Sequence, residues 1–304
     1  MAAPTSANCR PSRYHATAGA AASVSRAARE EDRVGIATRS QPKQANAPTA
    51  GASASQTPRA VATPFPPLNR SPTGKQPALK IPEIFGVLPY SGHRNPLTRS
   101  TVARRVATTF ATRATNGIPK VYLFEALTEW AAALDILLDP TVYGIEVQLP
   151  PIHYPWPGRK KPREHHFDMR ITFEDGFRRA VFIRNGRSLT KPKTKAEIEA
   201  IFNAIPSDFA DDAIVVNGDQ YTRQYRDNLF RAYDACQRAD PEADEVVTVA
   251  ARTTNYWLLK DLIRNSGLPS PRAFDAALRM IGRGHLAADW YSVISIHSRV
   301  RLPE

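Results

Sequence analysis

Glu125 and Glu129 stand four residues apart, one helical turn, so a helix there would carry both carboxylates on one face. Asp168 follows a basic loop and lies at the start of an expected strand, Phe167-Asp-Met-Arg-Ile. Carboxylate oxygens so placed could hold Mg2+ or Mn2+, which activates water and neutralises the charge that develops as a phosphodiester is hydrolysed. A site of this type ends with a carboxylate or amide, and two residues later a lysine, on the strand after a hairpin. Here those slots hold Phe182 and Arg184. Phenylalanine cannot ligate a metal. Arginine keeps the charge but stays protonated, so it transfers protons poorly. Its planar fork can still grip a phosphate.

These side chains need a scaffold. Val121, Phe124, Leu127, Ala131, Leu134 and Leu138 recur at three- and four-residue steps and predict a helix over 120–138, closed by Asp139-Pro140. Strands are expected over 142–149, 167–173 and 179–184. The first two are separated by a Pro- and Lys/Arg-rich loop, where Arg159, Lys160 and Lys161 are candidate phosphate contacts. Asp175-Gly176 is a hairpin signal between the second and third. Asn185-Gly-Arg187 reads as a turn, with Arg187 toward phosphate. A helix over 194–204, a buried strand over 213–216 and a helix over 222–238 complete an α/β layer.

Past an acidic connector, 239–245, the chain predicts a helix over 255–265 and a turn. A second helix starts with Ser270 as N-cap and Pro271 at the first helical position. Two short apolar runs follow. Helix, turn, helix and strand pair outline a small winged-helix-like domain at 246–304. Its second helix, to Ile281, is the expected recognition helix. Phe274, Leu278 and Ile281 should face the core, and Arg272 and Arg279 should face DNA.

The segment from about 120 to 185 resembles the N-terminal nuclease domain of TnsA-like transposon endonucleases. That family's motif runs Glu-Ser-x-x-Glu, Asp-Pro-x-Val, Gln-Pro, Pro-Asp-Phe, Asp-Gly and Glu/Gln-x-Lys. This chain has Glu125-Ala-Leu-Thr-Glu129, Asp139-Pro140-Thr-Val142, Gln148-Leu-Pro150, Phe167-Asp168-Met169 and Asp175-Gly176. The resemblance implies a restriction-endonuclease-like core at 82–240 and Mg2+ as cofactor. It puts Glu129 in the place of the first catalytic carboxylate and Asp168 in that of the metal-binding aspartate. The final catalytic pair falls on Phe182 and Arg184. The expected function is therefore a DNA-binding protein of mobile-element type, derived from a metal-dependent endonuclease, with cleavage weakened or lost. One alternative is an active Mg2+ endonuclease whose missing ligand comes from Glu164 or Glu174. Another is an adaptor or regulator that binds a transposase or integrase.

Charge fits a polyanion partner. The net charge is +12, and residues 1–82 hold eleven Lys or Arg against three acids. Residues 1–80, rich in Ala, Ser, Thr, Pro and Arg, bring too few large apolar side chains to offset ordering entropy and are expected to be a disordered basic tail. Two distant cysteines, Cys9 and Cys236, suit a reducing cytoplasm, and no apolar run is long enough for a bilayer. His165 and His166 are adjacent, so on a strand they point to opposite faces and could not readily share one ion.

Overall fold

The computed structural model describes residues 81–96 and 105–303, so the expected disordered tail lies outside the described residues. A hairpin of β1 (Val106–Phe110) and β2 (Lys120–Phe124) precedes the first long helix, α1 (Leu127–Leu137). The helix expected over 120–138 thus begins as a strand and is helical only from Leu127. Tyr122 and Phe124 enter the main core, while Val121 and Leu123 pack on the other side with Ile81 and Val87. Four consecutive apolar residues serve both faces of a strand, and a helical count absorbs them. Glu125 consequently sits in the strand–helix connection and not on the helix with Glu129.

After β3 (Val142–Val147) the expected basic loop forms a small antiparallel hairpin, β4 (Ile152–Tyr154) and β5 (Arg163–His165). Next come β6 (Met169–Phe173) and β7 (Arg178–Arg184), joined at Asp175-Gly176. Gly176 takes φ 85°, and the Asp175 carboxylate accepts from the Phe177 N–H at 2.9 Å. That left-handed conformation is one a side chain resists. A short turn of helix, α2 (Gly186–Leu189), and α3 (Pro192–Phe202) lead to β8 (Asp212–Asn217). The sheet order is β3-β6-β7-β8, with the first two pairings antiparallel and the last parallel.

Alternation along β7 divides the interior. Val181 points into a core shared with α1 and with α4 (Arg223–Gln237). Phe182 points the other way, into a cluster with Phe167, Ile201 and Phe209. Apolar side chains on both faces of the sheet require cover on both, and α1 with α4 on one side and α3 with the β4–β5 hairpin on the other supply it. The fold is mixed α/β.

The segment expected as an acidic connector is the start of α5 (Pro241–Thr253). Asp240 caps it by accepting from the Ala243 N–H at 3.1 Å, and Pro241 takes the first turn. Glu242 and Asp244 in that turn suit the positive end of the helix dipole. Helices α6 (Leu259–Ser266) and α7 (Ser270–Gly282) follow, then an antiparallel pair, β9 (Ala287–Ala288) and β10 (Val300–Arg301). Helix α4 belongs to both expected domains. Its Ala235 lies in the C-terminal core. Its buried Asn228 donates to the carbonyls of Trp290 and Ser292 and accepts from the Ile294 N–H.

The expected recognition helix forms, but it is buried almost all round. Ala273, Ala276, Ala277, Leu278, Met280 and Ile281 are inside. At Gly282 even a methyl group would come within 3.3 Å of Cys236 Sγ and Leu138. Arg279 is 2 % exposed and donates from Nε to Asp244 at 2.6 Å and from Nη1 to the Arg238 carbonyl at 3.0 Å. It cannot reach DNA, which corrects its assignment. Arg272 is half-exposed, but its guanidinium is held by Asp240 and Glu242. Small residues between the large apolar ones let neighbours approach from two sides, so a helix read as one-sided is central. Pro269, not Ser270, is its N-cap.

Candidate functional site

Glu129 lies in the first turn of α1, 8 % exposed, and its Oε2 accepts from the Glu125 N–H at 2.8 Å. Asp168 sits just before β6. Its N–H donates to the Val181 carbonyl at 3.1 Å and its Oδ2 accepts from the Ile183 N–H at 2.7 Å. Two hydrogen bonds therefore lash Asp168 to β7 beside Arg184. Burial, and then the charge of Asp168, push the Glu129 carboxyl well above the usual carboxylate range. Burial also raises Asp168, against the pull of the Ile183 N–H and of Arg184. The Asp168 charge acts on Glu129 and that of Arg184 on Asp168, so the three, far apart in sequence, lie in one region of the fold.

Arg94 is the member that sequence reasoning missed. Its Nη2 pairs with Glu125 Oε1 at 2.7 Å, and its Nε donates to Gln148 Oε1 at 2.7 Å. The guanidinium also pulls down the pKa of both Glu129 and Asp168. The segment carrying it is fixed to the end of β3, because the His93 N–H donates to the Gln148 carbonyl at 2.8 Å. Gln148 is 1 % exposed and has φ 54°, a left-handed conformation costly for a side-chain-bearing residue. The Gln148-Leu-Pro150 signal marks the amide. Nothing local in sequence marks its partner.

The position that the resemblance assigns to the last ligand holds hydrocarbon. Phe182 is 4 % exposed and meets the His165 ring edge-on at 4.3 Å between centroids. The Arg184 guanidinium lies 4.4 Å above the Phe182 ring. Among the described residues no three His, Cys, Asp or Glu side chains are grouped to hold a metal ion. Glu164 is exposed on β5, and Glu174 is at the far end of β6, paired with Arg113. Neither reaches the site. With one oxygen each of Glu129 and Asp168 already accepting a backbone N–H, Arg94 among the acids and Phe182 in the ligand slot, these residues do not fit Mg2+.

The two histidines part as strand geometry requires. His166 Nδ1 lies 3.2 Å from the Leu149 carbonyl. His165 turns inward, and its buried Nε2 has no hydrogen-bond partner among the described residues. Burial, then the charges of Arg184 and His166, lower its pKa to about 4. The unfolded chain therefore takes up this proton first. Stability from the neutral ring is complete above pH 6.5 and is lost as pH falls toward 4. His165→Phe is expected to flatten that part of the pH–stability profile, measured by urea unfolding at pH 7 and pH 4.5. An unchanged profile would place His165 in water.

Of the expected DNA contacts, Arg159, Lys160 and Lys161 are exposed at the tip of the β4–β5 hairpin, and Arg187 is exposed on α2. Asn185 caps α2 by accepting from the Ser188 N–H at 2.7 Å, so the expected turn is a short helix. Among the described residues no helix is long and apolar enough to cross a membrane. No family model matches this chain, and no curated protein matches it.

Proposed function

We propose that this chain is a DNA-binding protein of mobile-element type, descended from a metal-dependent endonuclease, with strand cleavage weakened or lost. The reading takes the α/β core as restriction-endonuclease-like and the C-terminal helices and strand pair as winged-helix-like. One observation carries it: Asp168 is hydrogen-bonded to β7 beside Arg184 and its charge acts on Glu129, while Phe182 fills the position where a ligand would stand. Inherited geometry persists there although the group that would complete it is gone. The cations that remain suit a phosphate backbone: Arg184 and Arg187 near the site, and Arg159, Lys160 and Lys161 on the hairpin tip. A transposase or integrase is the protein partner this reading implies.

Gel shifts of duplex DNA across a salt series test it. Replacing Arg159, Lys160 and Lys161 together with Ala should weaken binding for every sequence alike. The slope of log K against log salt should fall by ~0.9 for each phosphate no longer neutralised. A parent protein with no salt-dependent DNA binding would favour the adaptor.

A further inference from the structure

Trp257 is 64 % exposed, an unusual position for the largest apolar side chain. Its backbone is not loose. The Val300 N–H donates to the Trp257 carbonyl at 3.3 Å, and Leu258 bridges Arg299 in antiparallel pairing. The Arg299 guanidinium covers the indole at 4.9 Å from the ring centre. Trp257 walls a groove of about 660 Å³ with Tyr256, Ala288 and Arg301. The acid that lines it, Asp289, is exposed, and its two oxygens accept from the Tyr291 N–H at 2.9 Å and the Ser292 hydroxyl at 2.6 Å.

The cations of α7 and its C-cap are already engaged: Arg272, Arg279 and Arg283 all bind carboxylates. Arg299 makes no ion pair among the described residues, and neither does Arg252, which adjoins the groove at Ala251. An exposed aromatic face flanked by guanidiniums matches a nucleobase and its phosphates in both shape and charge. A duplex hides its base faces in its own stack and cannot use the indole. A polypeptide would match the cations only if it were acidic.

We propose that this groove binds single-stranded nucleic acid, with an unpaired base stacked on Trp257 and a phosphate against Arg299. The proposal rests on the DNA-binding reading above and adds to it a second point of attachment, on the C-terminal module, for an unpaired strand.

The test is tryptophan fluorescence of the full chain titrated with oligo-dT, alongside a duplex of equal length. Oligo-dT should quench the parent. Trp257→Ala should abolish most of the quench and weaken oligo-dT binding by roughly tenfold, the loss of one stacked base. Arg299→Ala should lower the salt slope by ~0.7, the single-strand value for one phosphate. Both residues are exposed, so the melting temperature should not move, and a matching melt separates weaker binding from unfolding. Unchanged oligo-dT affinity in Trp257→Ala overturns the groove proposal. A parent that binds duplex but not oligo-dT overturns it while leaving the DNA-binding reading intact. A parent that binds neither overturns both. Quenching by poly-glutamate but not by oligo-dT would make the groove a protein-docking surface and overturn it as well.

Discussion

Asp244→Ala is expected to destabilise the fold by about 3–5 kcal/mol, because it strips a buried arginine of its partner. Asp244 accepts from Arg279 Nε at 2.6 Å and from Arg283 Nη1 at 2.9 Å. Arg279 is 2 % exposed, so water cannot take over the broken bond. Without the carboxylate, two guanidiniums face each other at the junction of α5 and α7. For a fold of this size the melting temperature should drop by about 10 °C. Urea unfolding gives the midpoint directly. A loss below ~1 kcal/mol, typical of a surface pair, would put Arg279 back on the exterior. It would also reopen α7 as a DNA-reading helix.

Arg94→Met is expected to let Glu125, Glu129 and Asp168, which the parent does not group around an ion, draw together on Mn2+. The parent site balances Glu125 with Arg94 and holds Asp168 near Arg184. Removing one guanidinium leaves Glu125, Glu129 and Asp168 facing a single arginine, and a divalent cation is the natural replacement. Calorimetry with Mn2+ reads the affinity. A metal present at a hundred times its Kd would stabilise the variant by about 2.7 kcal/mol, visible as a melting shift absent from the parent. Phe182→Glu with Arg184→Lys restores the residue types of a working site and should raise Mn2+ affinity further in the Arg94→Met background. It also removes a buried phenylalanine from beside His165 and Phe167, which costs about 3–5 kcal/mol before any metal binds. No gain of Mn2+ binding in any of these variants would mean that the backbone around Glu129 and Asp168 has moved away from a metal-binding arrangement.

Much of the framework is legible in the sequence because it rests on local pattern. Asp175-Gly176 specifies its hairpin, and Thr222 caps α4 by accepting from the Tyr225 N–H. The meeting of Asp168 with β7 is legible from motif order. Arg94 is not, because its partners Glu125 and Gln148 are brought to it only by the β1–β2 hairpin and the end of β3. The strand Lys120–Phe124 passes for helix because an apolar run buried on both sides has no period of its own. The α7 arginines mislead for a related reason. A helix wheel separates the apolar stripe from the rest, but it does not say that α4 and α5 cover the other side.

DNA binding without metal-dependent cleavage has two halves, and one experiment addresses both. Supercoiled plasmid is incubated with the full chain in EDTA, in Mg2+ and in Mn2+, and the products are run before and after protein removal. Retarded plasmid is expected in all three conditions before removal, and fully supercoiled plasmid in all three afterwards. Nicked or linear plasmid in Mg2+, abolished by Asp168→Ala, would contradict it and make the chain an active endonuclease.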